Sequence, residues 1–512
     1  PLPNATTEQG RQAEQDRGGA EGGETAFAMV NDPDREAIRD LIREELKAEQ
    51  DKRDEEDGLR TDEPEWFEVG TDTELSTFSS NGFVAETADK AFRYHFGGRL
   101  QWDNAWFTQD DNLLIGPDPT TKFADGTAFR RARLRADGRV WEFIDFAAEV
   151  NFATIQDAAN VSDETVLLGS VGLTDFNLTF RDLPMVGNLR AGHFVGPYSL
   201  ERYSSTNAYY YMERSSVFDA FWGPNEYQTG LMLFNSYLDD RVTYATTFAR
   251  VGKTTQNNFG FEAEDGLYAA GIRLTGLPVY ADDGRVLLHF GVNYFHQALA
   301  DNTFTVANRL PLRAGGGSRQ VPNLLATGKF FSPNGTDIVD VESAFVYGPY
   351  SLSAEYALAR GTDLYKSFDG VSYSGPRGDA TYHAFYVEGG LFLTPGDYRR
   401  YDKKTGTWGR TIPLENASLA RCEDGCWCGG HGAVQLLARL SYLDLVSGSP
   451  TLSPDSGGAR AGTQRDVTLG VNWYLNPQTV ISPNYVWTHI DSVVSGASGD
   501  VHGVGVRLHF DF

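Results

Sequence analysis

The chain has 512 residues, 22% of them charged, and a formal net charge of -26 at pH 7. So negative a balance argues against a nucleic-acid partner, whose phosphates would be repelled. No run of about 20 apolar residues is present, which excludes a spanning helix but leaves open spanning β-strands, whose alternating faces average to a mild hydropathy.

Residues 1–33 are poor in large apolar side chains and read as disordered. A first residue Pro1 rather than Met accords with removal of a secretion signal. The segment 1–90 carries 25 acidic and 10 basic side chains, more than half of the net charge. Asp32-Pro33 looks like an N-cap followed by proline at the first helical position. A helix over 34–57 follows, with Ile38, Leu41, Ile42 and Leu46 on one face. That stripe is too narrow to hold a short helix alone in water, so a coiled coil of several copies is expected, with a solvated single helix as the alternative. Residues 58–90 read as a linker.

From residue 91 to 512 the apolar period is two. In AFRYHFGGRLQWD, Phe92, Tyr94, Phe96, Leu100 and Trp102 oppose Arg93, His95, Arg99 and Gln101. In FRRARLRAD, Ala132, Leu134 and Ala136 oppose Arg131, Arg133 and Arg135. In VTLGVNWYL, Val467, Leu469, Val471, Trp473 and Leu475 oppose Thr468, Asn472 and Tyr474. Short links are expected at Asp137-Gly138, Leu183–Gly187, Leu238–Asp240, Gly348-Pro349 and Asn476–Gln478. Long polar links are expected near 103–126, 195–226, 251–265, 298–340, 361–378 and 444–463. Short and long links in alternation predict an all-β, 16-stranded antiparallel transmembrane barrel with both termini on the periplasmic side. The last strand, VGVRLHFDF, puts Val504, Val506, Leu508, Phe510 and Phe512 on one face. A bare amphipathic edge is a liability unless the barrel closes on it.

A polar lumen would carry the function. Arg99, Arg131, Arg133, Arg135, Arg273, Arg439 and Arg507 share the inward parity, and guanidinium groups there would replace an anion's lost hydration. The competing reading has them brace the wall against Asp145, Glu149 and Glu355. Link 195–226 is too aromatic to stand in solvent and is expected to fold into the barrel, or to pack on a neighbouring subunit. Cys422, Cys426 and Cys428 with His431 could bind zinc, although an exported chain favours a disulfide. No G-x-S-x-G, P-loop or H-E-x-x-H motif suggests an enzyme.

The segments FGGRLQWD, AFRRARLRADG with EVNFA, GHFVGPYSLERYSS, YMERS, FLTPGDYRRYDKKTGTWGRTIPLEN and LGVNWYLNP, in order across about 91–512, resemble the phosphate-selective porin O/P family. The resemblance implies a homotrimeric outer-membrane porin without cofactors, preferring small anions such as phosphate. An outer-membrane barrel is expected to contact lipid and lipopolysaccharide, and the C-terminal aromatic strand resembles the recognition signal of the outer-membrane assembly machinery. Arg99, Arg130 and Arg131 match the family's wall arginines. Ser204 and Ser205 match its constriction serines, and Arg202 lies near a family lysine. Arg309, Arg313 and Arg319 fall in the loop of its arginine ladder. The insertion at about 394–430 matches a turn that folds into the lumen, bringing Arg399, Arg400, Lys403, Lys404 and Arg410. Family lysine positions fall near His95 and Ala147 here, which implies a less cationic centre. A different reading makes the barrel a structural anchor held to peptidoglycan by the N-terminal helix.

Overall fold

The computed structural model describes residues 43–45, 47–49, 74–79, 81–113, 123–153, 171–223, 226–250, 268–298, 303–314, 321–368, 371–417, 420–421, 427–446, 461–493 and 498–512. The chain divides into two units, Pro1–Glu68 and Val69–Phe512. In the first, residues 43–45 and 47–49 are helical. The remainder of the expected helix and its self-association lie outside the described residues.

The second unit is a closed antiparallel barrel of sixteen strands. They are β1 (Arg93–Gln109), β2 (Gly126–Val140), β3 (Ile144–Asn151), β4 (Gly172–Leu183), β5 (Gly187–Val195), β6 (Tyr227–Tyr237), β7 (Val242–Arg250) and β8 (Tyr268–Ala281). The second half comprises β9 (Val286–Gln297), β10 (Thr336–Tyr347), β11 (Tyr350–Phe368), β12 (Tyr373–Phe392), β13 (Ala433–Asp444), β14 (Gly462–Asn476), β15 (Thr479–Ser492) and β16 (Ser498–Asp511). Each strand pairs with the next. The ring closes where β16 pairs with β1, from Val501 opposite Gln109 to Asp511 opposite Arg99. A hairpin of Leu75–Ser79 and Phe83–Thr87 extends the sheet at the start of β1.

Alternation explains the two surfaces. Phe96, Leu100 and Trp102 of β1, Leu469 and Trp473 of β14, and Leu508 and Phe510 of β16 face outward and are exposed. Their neighbours Gln101, Thr468, Asn472 and Arg507 face inward and are buried. An outward band of this kind suits hydrocarbon. Arginine at Leu469, near the middle of β14, should therefore lower stability by about 2–4 kcal/mol, read from urea unfolding in lipid vesicles.

Some expected boundaries move. The strand does not turn at Asp137-Gly138; Gly138 stays paired with Tyr94 and Phe146. The turn comes at Trp141–Phe143, where Trp141 and Glu142 adopt φ of 54° and 59°, a conformation that non-glycine residues seldom take. The first long link begins at 110 rather than 103, because β1 keeps its pairing through Gln109. Most of 361–378 is strand, since β11 and β12 pair as far as Phe368 and Tyr373. Beyond the expected links, 152–171 joins β3 to β4.

Three segments fill the lumen. They are the described parts of three connections: 196–223 after β5, 303–314 and 321–335 before β10, and 393–417 after β12. The first crosses to the opposite walls. Met212 N donates to Asn484 Oδ1 on β15 at 2.7 Å, and Asn472 Nδ2 on β14 donates to Tyr210 O at 2.9 Å. Leu312 of the second packs over β16 so closely that a methyl at Gly505 would come 2.7 Å from it. The third brings its tip against β8, where Arg273 Nη1 donates to Thr405 O at 3.1 Å and Nη2 to Gly406 O at 2.7 Å. Gly406 has φ +66° and lies where a Cβ would meet Thr275 Oγ1 at 2.7 Å, so a larger residue at the tip would be strained and crowded there.

Candidate functional site

The inward link 196–226 opens with a short helix, Leu200–Tyr203, whose N-cap Ser199 accepts from Arg202 N at 3.2 Å. Glu355 of β11 holds this end. Its carboxylate accepts from Ser199 Oγ at 2.5 Å, Glu201 N at 2.6 Å and Tyr386 Oη at 2.7 Å. Glu355 was a candidate arginine partner, but it seats the link instead, held by two hydroxyls and a backbone amide. Asp340 receives Trp222 Nε1 at 3.3 Å, and Glu342 takes Arg273 Nη2 at 2.5 Å. Strands β10 to β12 thus form an acidic wall on the far side of the ring from β1–β3.

The basic wall comprises β16, β1 and β2. The strict alternation of β2 breaks at a bulge, with Arg131 opposite Gln101 but Phe129 opposite Trp102. The extra residue is Arg130, so Arg130 and Arg131 both reach the lumen side. Arg130 grips Glu213 with two bonds of 2.6 and 3.1 Å. Arg313 reaches the same carboxylate at 2.9 Å and Arg507 at 3.5 Å. Glu213 is therefore a hub under three arginines, which hold its carboxyl well below the usual range although burial alone would raise it. Arg507 also pairs with Asp103 at 2.6 Å, and Arg313 with Asp219 at 2.6 Å.

The other expected residues separate into groups. Arg99 pairs with Asp511 at 3.1 Å and also donates to Thr206 Oγ1. Arg133 pairs with Glu149 at 2.8 Å and reaches Tyr227 Oη at 3.3 Å. Arg135 pairs with Asp137 at 2.8 Å and Asp175 at 3.0 Å. Arg202 is enclosed in the link's own core, 5.4 Å over Tyr198 and 5.3 Å over Trp222. Ser204 is buried; it donates to Leu200 O at 2.7 Å and accepts from Trp408 N at 3.1 Å. Ser205 is exposed and caps a 3-10 turn by accepting from Asn207 N at 3.4 Å. Arg309 is half-buried, and its carbonyl accepts from Gln464 Nε2. Arg319, Cys422 and Cys426 lie outside the described residues, and the zinc and disulfide readings with them.

Arg131 differs from its neighbours. It is buried and donates through Nη1 to the neutral oxygen of Gln101 at 2.7 Å. Its Nε reaches no acceptor. Among the described residues no carboxylate lies within ion-pair distance of it. The ring of Tyr209 lies 5.9 Å away.

Sequence reasoning missed the hub. Glu213 sits in YMERS with no periodic signal, and its three arginines come from residues 130, 313 and 507. The acidic wall was equally hidden, because Asp340, Glu342 and Glu355 look like ordinary inward positions.

A family model described as phosphate-selective porin O and P matches residues 95–512. Porin O of Pseudomonas aeruginosa is 26% identical over 465 residues, covering 86% of this chain and 93% of that protein. The outer membrane channel DcaP of Acinetobacter baumannii is 13% identical with a TM-score of 0.45, over 83% of this chain and 99% of that one. The anion-selective porin from Comamonas acidovorans is 13% identical with a TM-score of 0.43, over 82% and 100%.

Proposed function

The chain belongs to the phosphate-selective porin O and P family, and from that premise we propose that this outer-membrane porin passes small hydrophilic solutes by diffusion with a preference for anions. The family is one of porins, not enzymes. The observation that carries the anion preference is Arg131. A buried guanidinium with no acid beside it, flanked on its strand by Arg130 and Arg133, gains most from an anion that supplies the missing charge. Arg99, Arg130, Arg133, Arg135, Arg309 and Arg313 add to the field on that side but are largely committed to bracing. Ser204 and Ser205 serve the link's own turns. Arg202 supports the link from within. Phosphate or a similar oxyanion is one fitting solute, with the basic wall as its guide.

The assembly assigned to it is a homotrimer, as the family resemblance implies. The short-turn end, with both ends of the barrel, faces the periplasm, and the long links face outward.

Planar-bilayer reversal potentials in a KCl gradient test the preference. Chloride is expected to permeate better than potassium. Arg131→Gln should cut that ratio by about fivefold, the equivalent of roughly 1 kcal/mol. Added phosphate should reduce the chloride current of the wild type more than that of the variant. A potassium preference in the wild type would overturn the proposal.

A further inference from the structure

A second place in the lumen has donors without acceptors. The inward link, the turn after β12 and the wall border a cavity of about 20 Å³, lined by Tyr211, Arg399, Trp408 and Arg439, with Glu201, Glu213 and Glu388 also on its boundary. Space of that size holds one water-sized particle.

Arg399 is 2% exposed. Its guanidinium lies 3.9 Å over the Tyr210 ring and 5.0 Å from that of Trp408. Nη2 donates to Ala208 O, but Nε and Nη1 reach no acceptor. Among the described residues no carboxylate is within ion-pair distance of Arg399. Arg439 Nε, Trp408 Nε1 and Tyr211 Oη are likewise buried without partners. The nearby acids are engaged. Glu201 takes Arg439 Nη1 at 3.2 Å and Ser215 Oγ at 2.6 Å, Glu388 takes Ser353 Oγ at 2.9 Å, and Glu213 is held by Arg130, Arg313 and Arg507.

We propose that this cavity is a binding site for a single small inorganic anion of halide size, held by Arg399, Arg439, Trp408 and Tyr211. Water offers as many donors as acceptors and would leave the Arg399 charge uncompensated. A halide only accepts, and it supplies the missing charge. Space for one water-sized particle suits a halide better than a tetrahedral oxyanion. The site goes beyond the solute path at Arg131. It is built from β13, the inward link and the turn after β12, and it does not require the pore to prefer anions. Its occupant would tie the constriction link to the turn.

Anomalous diffraction from crystals of the full chain grown with sodium bromide in place of chloride tests the site. A bromide peak is expected within hydrogen-bond distance of Arg399 and Trp408 Nε1. Arg399→Gln should abolish it. Trp408→Phe, which keeps the charge and removes one N–H, should weaken it and serves if the first variant fails to fold. An ordered water without anomalous signal would overturn the proposal, as would a peak that persists in Arg399→Gln. A selenate peak at the same place would overturn the size assignment. Bromide at Arg131 alone would sink this site and leave the solute path standing; bromide at Arg399 with a potassium preference in the bilayer would leave this site standing and overturn the solute path.

Discussion

Glutamine at position 213 is expected to raise the preference for anions and to loosen the constriction together. Glu213 bears against Arg130, Arg313 and Arg507. Arg313 keeps Asp219 and Arg507 keeps Asp103 after the change. Arg130 does not have such a second partner, since Glu213 is its only ion-pair acid among the described residues. Glutamine preserves the shape and part of the hydrogen bonding but removes the charge. The stability loss should therefore fall near the low end for breaking a buried pair, about 3 kcal/mol. Thermal unfolding in detergent would register it. Arg130 would then join Arg131 as a lumen-side guanidinium without an acid beside it, and if the proposed anion preference rests on this wall the chloride-to-potassium permeability ratio should climb. Lower stability with unchanged selectivity would mean that the arginine cluster braces the barrel and lies off the solute path.

The barrel was legible because its signal is local. Outward Leu469 and Trp473 alternate with inward Thr468 and Asn472, and lipid demands that alternation of every strand. The inward course of link 196–226 was legible for a related reason: three consecutive tyrosines are costly to leave in water. The site was legible only as a list of arginines. Which of them has an acid beside it depends on pairings such as Arg507 with Asp103, 404 positions apart. The bulge that turns Arg130 inward leaves no mark in an alternating pattern, because one inserted residue looks like any other. Glu355 was misread for the same reason. An inward acid looks like an arginine partner until the link that presents Ser199 and Glu201 is in place.

Acid should leave the constriction link seated down to about pH 4.5 and unlatch it progressively toward pH 2. Glu226 closes the link just before β6, and its carboxylate takes Arg214 Nη1 at 2.7 Å. Burial alone would push that carboxyl up. Arg214, aided by the fields of Arg131 and Arg133, outweighs burial and brings it from an ordinary 4.5 down to about 2. The folded value lies below the unfolded one. The stabilisation is therefore complete above about pH 4.5 and is lost as the pH falls toward 2. A shift of that size is worth about 3 kcal/mol. Glu213 is depressed as well and has the same sign, so it cannot offset the loss. Single-channel conductance should hold steady from neutral pH to about 5, then become larger and noisier as the link leaves the lumen. Glu226→Gln should show that noise at neutral pH. A transition centred near pH 6 to 7 and retained in Glu226→Gln would move the latch to other groups, with the buried acids of β10 to β12 the next to replace.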